Sequence, residues 1–573
     1  MSTEKMDASE HESGGHPGKL PKPRTDWVVF GITAVLTVAF VMWGFVATDS
    51  LANTSTSMLN YVMNKGGWVF VLASSGFVVF ALWLAFSRYG KIRLGKDDDK
   101  PEFKTVSWIA MMFSAGMGIG LMFYGVAEPI KHFSATPPGA HPSGTGEATE
   151  IALATTLFHW TLHPWAIYAV VGLAIAYSAF RRNRRQTISA TFTPLIGERQ
   201  AAGPLGKIID ILAIFATMFG SAASLGLGAL QIRSGVTEVG WADSVGTGVL
   251  LVIIGFLTGC FVLSAVSGVE RGIQWLSNIN MVLAGLLVVF VFIVGPTVHM
   301  LNLLPTSIAA YLENLPQLTG RTAATGGDDV VGWLADNSVF YWAWWISWTP
   351  FVGMFIARIS KGRTIRQFVG GVILVPSVVS LIWFAIFGGT AIDQQANDID
   401  IAGQGTQEAQ LFTVLNQYPI ASVTSLLVMI LVGIFFVSGA DAASIVMGTL
   451  SQRGTMEPSK PVVIFWGVAT GAVGAIMLIV GGGGDKALTG LQNLTILVAV
   501  PFTVVMVVLC LSLTKDLRND PLILREEQGD EVIHTAVHTG QRLFHGDFEL
   551  ELRPGSNGNS EESGSEEVTT DAK

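Results

Sequence analysis

The sequence predicts an all-α, polytopic membrane protein, and three observations carry that prediction. Half of the 573 residues are hydrophobic and only 13% are charged. Mean hydropathy is +0.51, whereas a soluble chain of this length carries more charge and fewer unbroken apolar runs. Runs of about 20 apolar residues, enough for a helix to cross the hydrocarbon core, recur along the chain. The 64 glycines and 22 prolines suit the same class, because neighbouring helices re-satisfy interrupted backbones in a membrane.

Hydropathy places about twelve spans, near 27–48, 67–87, 106–126, 153–180, 206–232, 246–267, 273–296, 338–357, 369–390, 421–450, 461–481 and 488–513. Residues 1–26 are polar and lack an apolar core of the kind a cleaved signal needs, so the first span serves as the insertion signal. The two cysteines, Cys260 and Cys510, lie in apolar runs and form neither a disulfide framework nor a metal-ligand spacing.

Lys and Arg set the orientation. Arg88, Lys91, Arg93, Lys96, Lys100 and Lys104 follow span two. RRNRR (181–185) follows span four, and Arg358, Lys361, Arg363 and Arg366 follow span eight. By contrast, 127–150 carries only Lys131, and 391–420 carries no Lys or Arg. Both termini are thus expected in the cytoplasm of a cell bearing a plasma membrane, and the basic clusters read as topology rather than ligand sites. The polar connector 301–317 suits an amphipathic helix at the outer interface. The net charge of −9 comes mostly from the tail after Lys515, which is expected to be largely disordered, wholly so from about 555. Its acidity argues against nucleic acid as a partner.

The third span contains SAGMGIGLMFYG (114–125), with Gly116, Gly118 and Gly120 spaced by two. Each glycine costs a helix about 1 kcal/mol relative to alanine. Unwinding at mid-membrane and close helix packing through G-x-x-x-G explain the pattern equally well. Span eight has an expected interruption at Pro350, which removes a backbone donor. Five spans separate the two breaks, so spans 3–7 and 8–12 read as two repeats with a binding site where both lose regularity.

Span eight also holds FYWAWWISWTPFV (340–352). Trp342, near its outer end, reads as an interfacial belt residue. Trp348 lies roughly 15 Å above Arg358 at 1.5 Å per residue, too deep for a belt, and Trp345 is one turn higher. Trp344 fits packing and site lining alike. Span four adds Trp160, Trp165 and Tyr168, with Pro164 expected to bend the helix. Neither span carries a carboxylate, yet aromatic faces alone attract a cation that has no N–H to donate, at about 0.5–2 kcal/mol per contact. The residues therefore point to a mid-membrane box for a small methylated ammonium compound. His159 and His163 lack a third ligand and read as packed polar groups, and Glu128 reads as a structural cap. Asp441, within a span, is functional or paired by default. A channel or membrane sensor fits two interrupted halves less well than alternating access does, and nothing supports an enzyme.

The stretches GMGIGLMFYGVAEP (116–129), FHWTLHPWAIYA (158–169), YWAWWISWTPFVGMFIARISKGR (341–363) and FFVSGADAAS (435–444) closely resemble the betaine/choline/carnitine transporter family, over about 27–518. The resemblance implies a LeuT-like pair of inverted five-helix repeats. Residues 1–26 would be a cytoplasmic tail, 27–105 two extra helices and a loop, 106–300 the first repeat and 301–333 the outer connector. The second repeat would be 334–515, and 516–573 the acidic tail. It implies a homotrimer with contacts from the connector, and betaine aromatics at Trp160, Trp165, Tyr168 and Trp345. Trp348 and Phe355 would line the inner path, with Met117, Gly118 and Gly120 of the unwound stretch beside the solute. Gly120, where proton-coupled choline carriers tend to have aspartate, points to the sodium-coupled betaine branch.

The resemblance also implies sodium as coupling ion, with no cofactor. One sodium site would use Ser114, Met117, Phe435 and Ser438, but Gly439 stands where a second hydroxyl is expected. The other would use Thr217, Ser221 and Phe351. Ectoine or proline are the alternative solutes, and proton-coupled choline uptake is more distant. The family's osmotically activated members have a basic C-terminal helix, so the acidic tail here implies weak or differently wired activation.

Overall fold

The computed structural model describes residues 24–116, 118–242, 245–267, 270–404, 406–482 and 487–551; at 113–116, 265–267 and 270–277 it describes the backbone alone. These residues are α-helical, without a β-strand among them beyond one isolated bridge between Arg93 and Thr364. The chain divides into two compact units, Met1–Asp516 and Leu517–Lys573.

The first unit opens with α1 (Trp27–Val46) and α2 (Thr48–Phe86). The third span is split into α3 (Thr105–Gly116) and α4 (Ile119–Ser134), and the fourth into α5 (Gly146–Trp160) and α6 (Leu162–Ala176). The short α7 (Thr193–Ala201) leads to α8 (Pro204–Glu238), α9 (Thr247–Ser267) and α10 (Glu270–Val294). Then come α11 (Thr297–Gly320), α12 (Gly327–Leu334), α13 (Phe340–Ile359) and α14 (Ile365–Ala396). α15 (Gln407–Asn416), α16 (Ala421–Ser451), α17 (Lys460–Val480) and α18 (Ala487–Arg518) complete the bundle.

Among the described residues nine helices are long and apolar enough to cross a membrane, or ten with the bent pair α10–α11. The protein is thus a polytopic, all-α membrane protein. Each of the twelve expected spans falls on a helix or a broken helix. α13 fails the hydropathy test because its indoles, Tyr341, Ser347, Thr349 and Pro350 dilute the aliphatic side chains. Burial sorts the helices by place. The apolar stretch of α5–α6 is 89% buried within the chain, whereas those of α1 and α9 are 22% buried. α5 and α6 are therefore central, and α1 and α9 present most of their surface to lipid. α13 packs on α6 and α8, and α4 packs on α5 and α14.

Two expectations need correction. Pro350 does not interrupt span eight, because α13 runs unbroken from Phe340 to Ile359. The irregularity sits earlier, in a π-helical turn at Ala335–Val339 that precedes α13. The bend expected at Pro164 lies instead at Thr161 (φ −118°, ψ −104°), between α5 and α6. Pro164 then falls in the first turn of α6, where its missing N–H costs no helical hydrogen bond.

The connector expected at 301–317 is α11, turned by 109° from the end of α10. Met300, Leu303 and Tyr311 are buried, while Val298, Leu301, Ile308 and Leu312 are exposed, the two-faced pattern of an interfacial helix. At the basic end of the bundle, Arg182 and Arg184 pair with Asp516 at 3.2 and 2.5 Å, and Arg181 with Asp97 at 2.5 Å.

The second unit corrects the expectation that 516–573 is largely disordered. It holds α19 (Pro521–Phe544), with proline in the first turn and Asp520 accepting from the Leu522 amide. Val532, Ala536, Gly540 and Phe544 recur every four residues along this helix, among charged residues of both signs. Residues 552–573, including those from 555 on, lie outside the described residues.

A buried ion pair ties α8 to α15: Arg233 Nη2 lies 2.5 Å from Glu408 Oε1, both residues being buried. Burial pushes the Glu408 carboxyl above its usual range even beside Arg233. Removing one partner of such a pair costs about 3–5 kcal/mol. Glu408→Ala should therefore lower the thermal midpoint of the detergent-solubilised protein markedly, and an unchanged midpoint would show the pair to be dispensable.

Candidate functional site

The helix breaks meet in one place. Gly118 is extended (φ −162°, ψ −175°), so α3 ends and α4 restarts across it. This settles the glycine spacing in favour of an interruption. Around that break and the Thr161 break lies a cavity lined by Gly118, Gly120, Leu121, Trp160, Pro164, Trp165, Tyr168, Trp344, Trp345, Trp348 and Ser380. It encloses ≈ 40 Å³, room for about three water molecules.

The rings form a continuous lining. Trp160 meets Trp345 edge to face with centroids 4.9 Å apart, and Trp345 stacks on Trp344 at 4.7 Å. Tyr168 is 6.2 Å from Trp345 and 5.4 Å from Trp165, and Trp348 is 6.1 Å from Trp344. Such T-shaped and offset pairs are the favourable geometries for aromatic quadrupoles. The structure thus gathers Trp160, Trp165, Tyr168, Trp345, Trp348, Gly118 and Gly120 into one wall. Trp344 joins them, its indole donating to Ser224 Oγ at 3.0 Å.

Phe355 stays outside: it is 36% exposed and lines no part of the cavity. Trp342, expected in an interfacial belt, is 1% exposed and packs between Phe158 (5.0 Å) and His163 (5.0 Å, stacked). The helix turns it inward, where Phe158 of α5 and His163 of α6 cover it.

Trp160, Trp344 and Trp345 are each anchored by an indole hydrogen bond, whereas Trp348 Nε1 finds no partner among the described residues. Trp345 Nε1 donates to the His159 carbonyl at 3.0 Å, and Trp160 Nε1 donates to Glu128 Oε2 at 2.5 Å. Glu128, 1% exposed, also lies 2.5 Å from His159 Nδ1, while His159 Nε2 meets Ser338 Oγ at 2.8 Å. Ser338 belongs to the π-helical turn, which widens the backbone enough to bring it over the imidazole. Glu128 is therefore a hub behind the cage rather than a helix cap. Its signal was present in the spacing Gly120, Tyr124, Glu128 at i, i+4, i+8, one stripe of α4. Ser380 had no such signal, because its one polar neighbour on α14, Ser377, donates to the Ile373 carbonyl and marks no site.

The residues with a sodium reading fare unevenly. Met117 and the side chain of Ser114 lie outside the described residues. Ser438 Oγ donates to Ile434 O at 2.9 Å and lies 3.3 Å from Phe435 O, so two of the expected oxygens are neighbours. A Cβ at Gly439 would meet nothing within 4 Å. Thr217 and Ser221 are buried one turn apart on α8, which contacts α13 closely at Gly220, Ser347 and Trp348. Phe351 follows on the same stripe, 5.7 Å from Trp348. Asp441 is 2% exposed, and its Oδ2 has no hydrogen-bond partner among the described residues.

A methyl group at Gly120 would stand 2.8 Å from the Cη2 atoms of both Trp160 and Trp344, whereas one at Gly118 would meet nothing within 4 Å. Overpacking of that kind costs about 1–3 kcal/mol. Gly120→Ala should lower the thermal midpoint in detergent, while Gly118→Ala should stay close to the parent. Equal effects would contradict the tight seating of Gly120 against the two indoles.

Comparison with known proteins agrees over nearly the whole chain. The betaine/carnitine/choline family of transporters (BCCT) matches residues 28–522. The betaine/ectoine transporter LcoP of Corynebacterium glutamicum is 43% identical over 556 residues, 95% of this chain and 87% of its own length. The glycine betaine transporter OpuD of Bacillus subtilis is 45% identical over 493 residues, 86% of this chain and 94% of its own. A glycine betaine/proline/choline/ectoine transporter of Vibrio parahaemolyticus is 40% identical over 500 residues, 86% of this chain and 87% of its own. With its helical membrane architecture and these relatives, the chain is a transporter and belongs to the BCCT family.

Proposed function

We propose that this protein imports glycine betaine, or a closely related compatible solute, across the plasma membrane by sodium symport and alternating access. One observation carries the solute class: a buried cavity walled by Trp160, Trp165, Tyr168, Trp344, Trp345 and Trp348. A methylated ammonium group cannot donate hydrogen bonds, so π faces are its natural partners. The relatives' names support betaine within that class. Gly120 supports it too, since a side chain there would collide with two cage indoles. Sodium would sit near Ser438 and Phe435, with Ser114 and Met117, and near Thr217, Ser221 and Phe351. The repeats 106–300 and 334–515 would rock about the cavity, both termini would face the cytoplasm, and α11 would join three copies into a homotrimer.

A second reading, ectoine or proline, is favoured by Ser380, whose hydroxyl lines the cavity and could accept the N–H that betaine lacks. Two of the relatives carry ectoine in their names.

Purified protein in liposomes should accumulate labelled betaine under an inward sodium gradient and fail to do so under a proton gradient alone. Uptake under the proton gradient without sodium would overturn the coupling. Trp345→Leu keeps bulk and removes the π face, and should raise the betaine KM about two- to thirtyfold, the equivalent of the 0.5–2 kcal/mol of one contact. An unchanged KM would reduce the indoles to packing. Because a hard cation gains from each added oxygen, Gly439→Ser should lower the sodium concentration for half-maximal uptake; an unmoved value would remove this position from the ion site.

A further inference from the structure

The cage is built of neutral rings, yet one of its walls leans on a carboxylate. Glu128 Oε2 accepts from Trp160 Nε1, and Glu128 Oε1 faces His159 Nδ1, both at 2.5 Å. His159 meets Ser338 Oγ with its other nitrogen, at 2.8 Å. A single neutral imidazole tautomer, donating from Nδ1 and accepting at Nε2, satisfies both contacts. His132 is further away at 3.6 Å from Glu128 Oε1, and the Tyr341 phenol also lies against the carboxylate. The carboxylate is therefore held by two N–H groups in a site closed to water, where its field is weakly screened.

Trp160 stands between this carboxylate and the cavity, with its N–H edge on Glu128 and its ring in the cavity lining. A charge-assisted hydrogen bond polarises its donor. An anion at the N–H edge makes the indole face more negative, and the face is the part that a cation meets.

We infer that Glu128 is the counter-charge for the solute's quaternary ammonium, acting through the Trp160 indole rather than by contact. This deepens the reading of the cavity as a quaternary-ammonium site and rests on it. The interposed ring solves a problem specific to a zwitterion. A carboxylate inside the cage would attract the ammonium and repel the solute's own carboxylate at similar range. Behind the ring, it reaches the ammonium seated on the indole and stays remote from the far end of the solute. Glu128 also positions a second wall, because the residue it holds, His159, offers its carbonyl to Trp345.

Charge and shape separate in one experiment on the full-length protein in detergent. Glu128→Gln can accept from Trp160 with its amide oxygen and donate to the other His159 tautomer, so the cage keeps its shape while the charge is lost. Calorimetric titration would compare glycine betaine with its uncharged-centre isostere, 3,3-dimethylbutanoate, which carries the same carboxylate and a tert-butyl group. Betaine affinity should fall about tenfold in Glu128→Gln, and affinity for the isostere should hold or rise. Unchanged betaine affinity, or an equal loss for both ligands, would overturn the inference and leave the betaine reading standing. A parent protein that ignores betaine would sink that reading instead, and the inference with it. Glu128→Asp keeps the charge and gives a check should the glutamine variant fold poorly. Its betaine-to-isostere affinity ratio should match the parent, and a collapsed ratio would also overturn the inference.

Discussion

The hydrogen bond from the Trp160 indole to Glu128 is the contact on which the arrangement of this bundle turns. In a membrane interior no water is at hand for an unpaired carboxylate or indole N–H, so each must find its partner within the chain. Glu128 finds two, His159 and Trp160 in the last turn of α5 just before the Thr161 break, and thereby fixes the end of α5 against α4. From there the restraints spread. His159 holds Ser338 on the π-helical turn and Trp345 on α13, and Trp344 is held by Ser224 on α8. Four helices are thus registered by polar contacts around a space whose lining is otherwise aromatic.

That pattern explains where the helices lose regularity. Broken backbone is tolerated at membrane depth only where protein or a cavity surrounds it. The Gly118 break and the Thr161 break both border the cavity, and the π-helical turn supplies the serine behind it. Pro350 tells the opposite story. It is buried within a regular helix, where the local residues can adjust around a missing donor.

Much of this was legible in the residues. Each of the twelve spans expected from the sequence falls on a helix or a broken helix, since crossing a bilayer imposes a length on the chain. The tryptophans of 340–352 were legible as a site because depth is a one-dimensional quantity that counting residues supplies. Direction around the helix axis is not, and there the reading failed. Trp342 was assigned to the interface by its depth, while the facing helices bury it. Glu128 was assigned to a helix end by its position in the chain, while the indole it pairs with lies 32 positions away. The tail misled for a different reason: composition averages over a segment, and an acidic average concealed one capped, two-faced helix.

The cage at ≈ 40 Å³ has one more consequence. Several of its rings already meet one another edge to face or in stacks, so the space between them is set by ring-to-ring contacts. An occupant bulkier than about three water molecules must part rings that attract each other and offset those contacts with its own. The attraction among the rings therefore sets part of the cost of entry to the cavity.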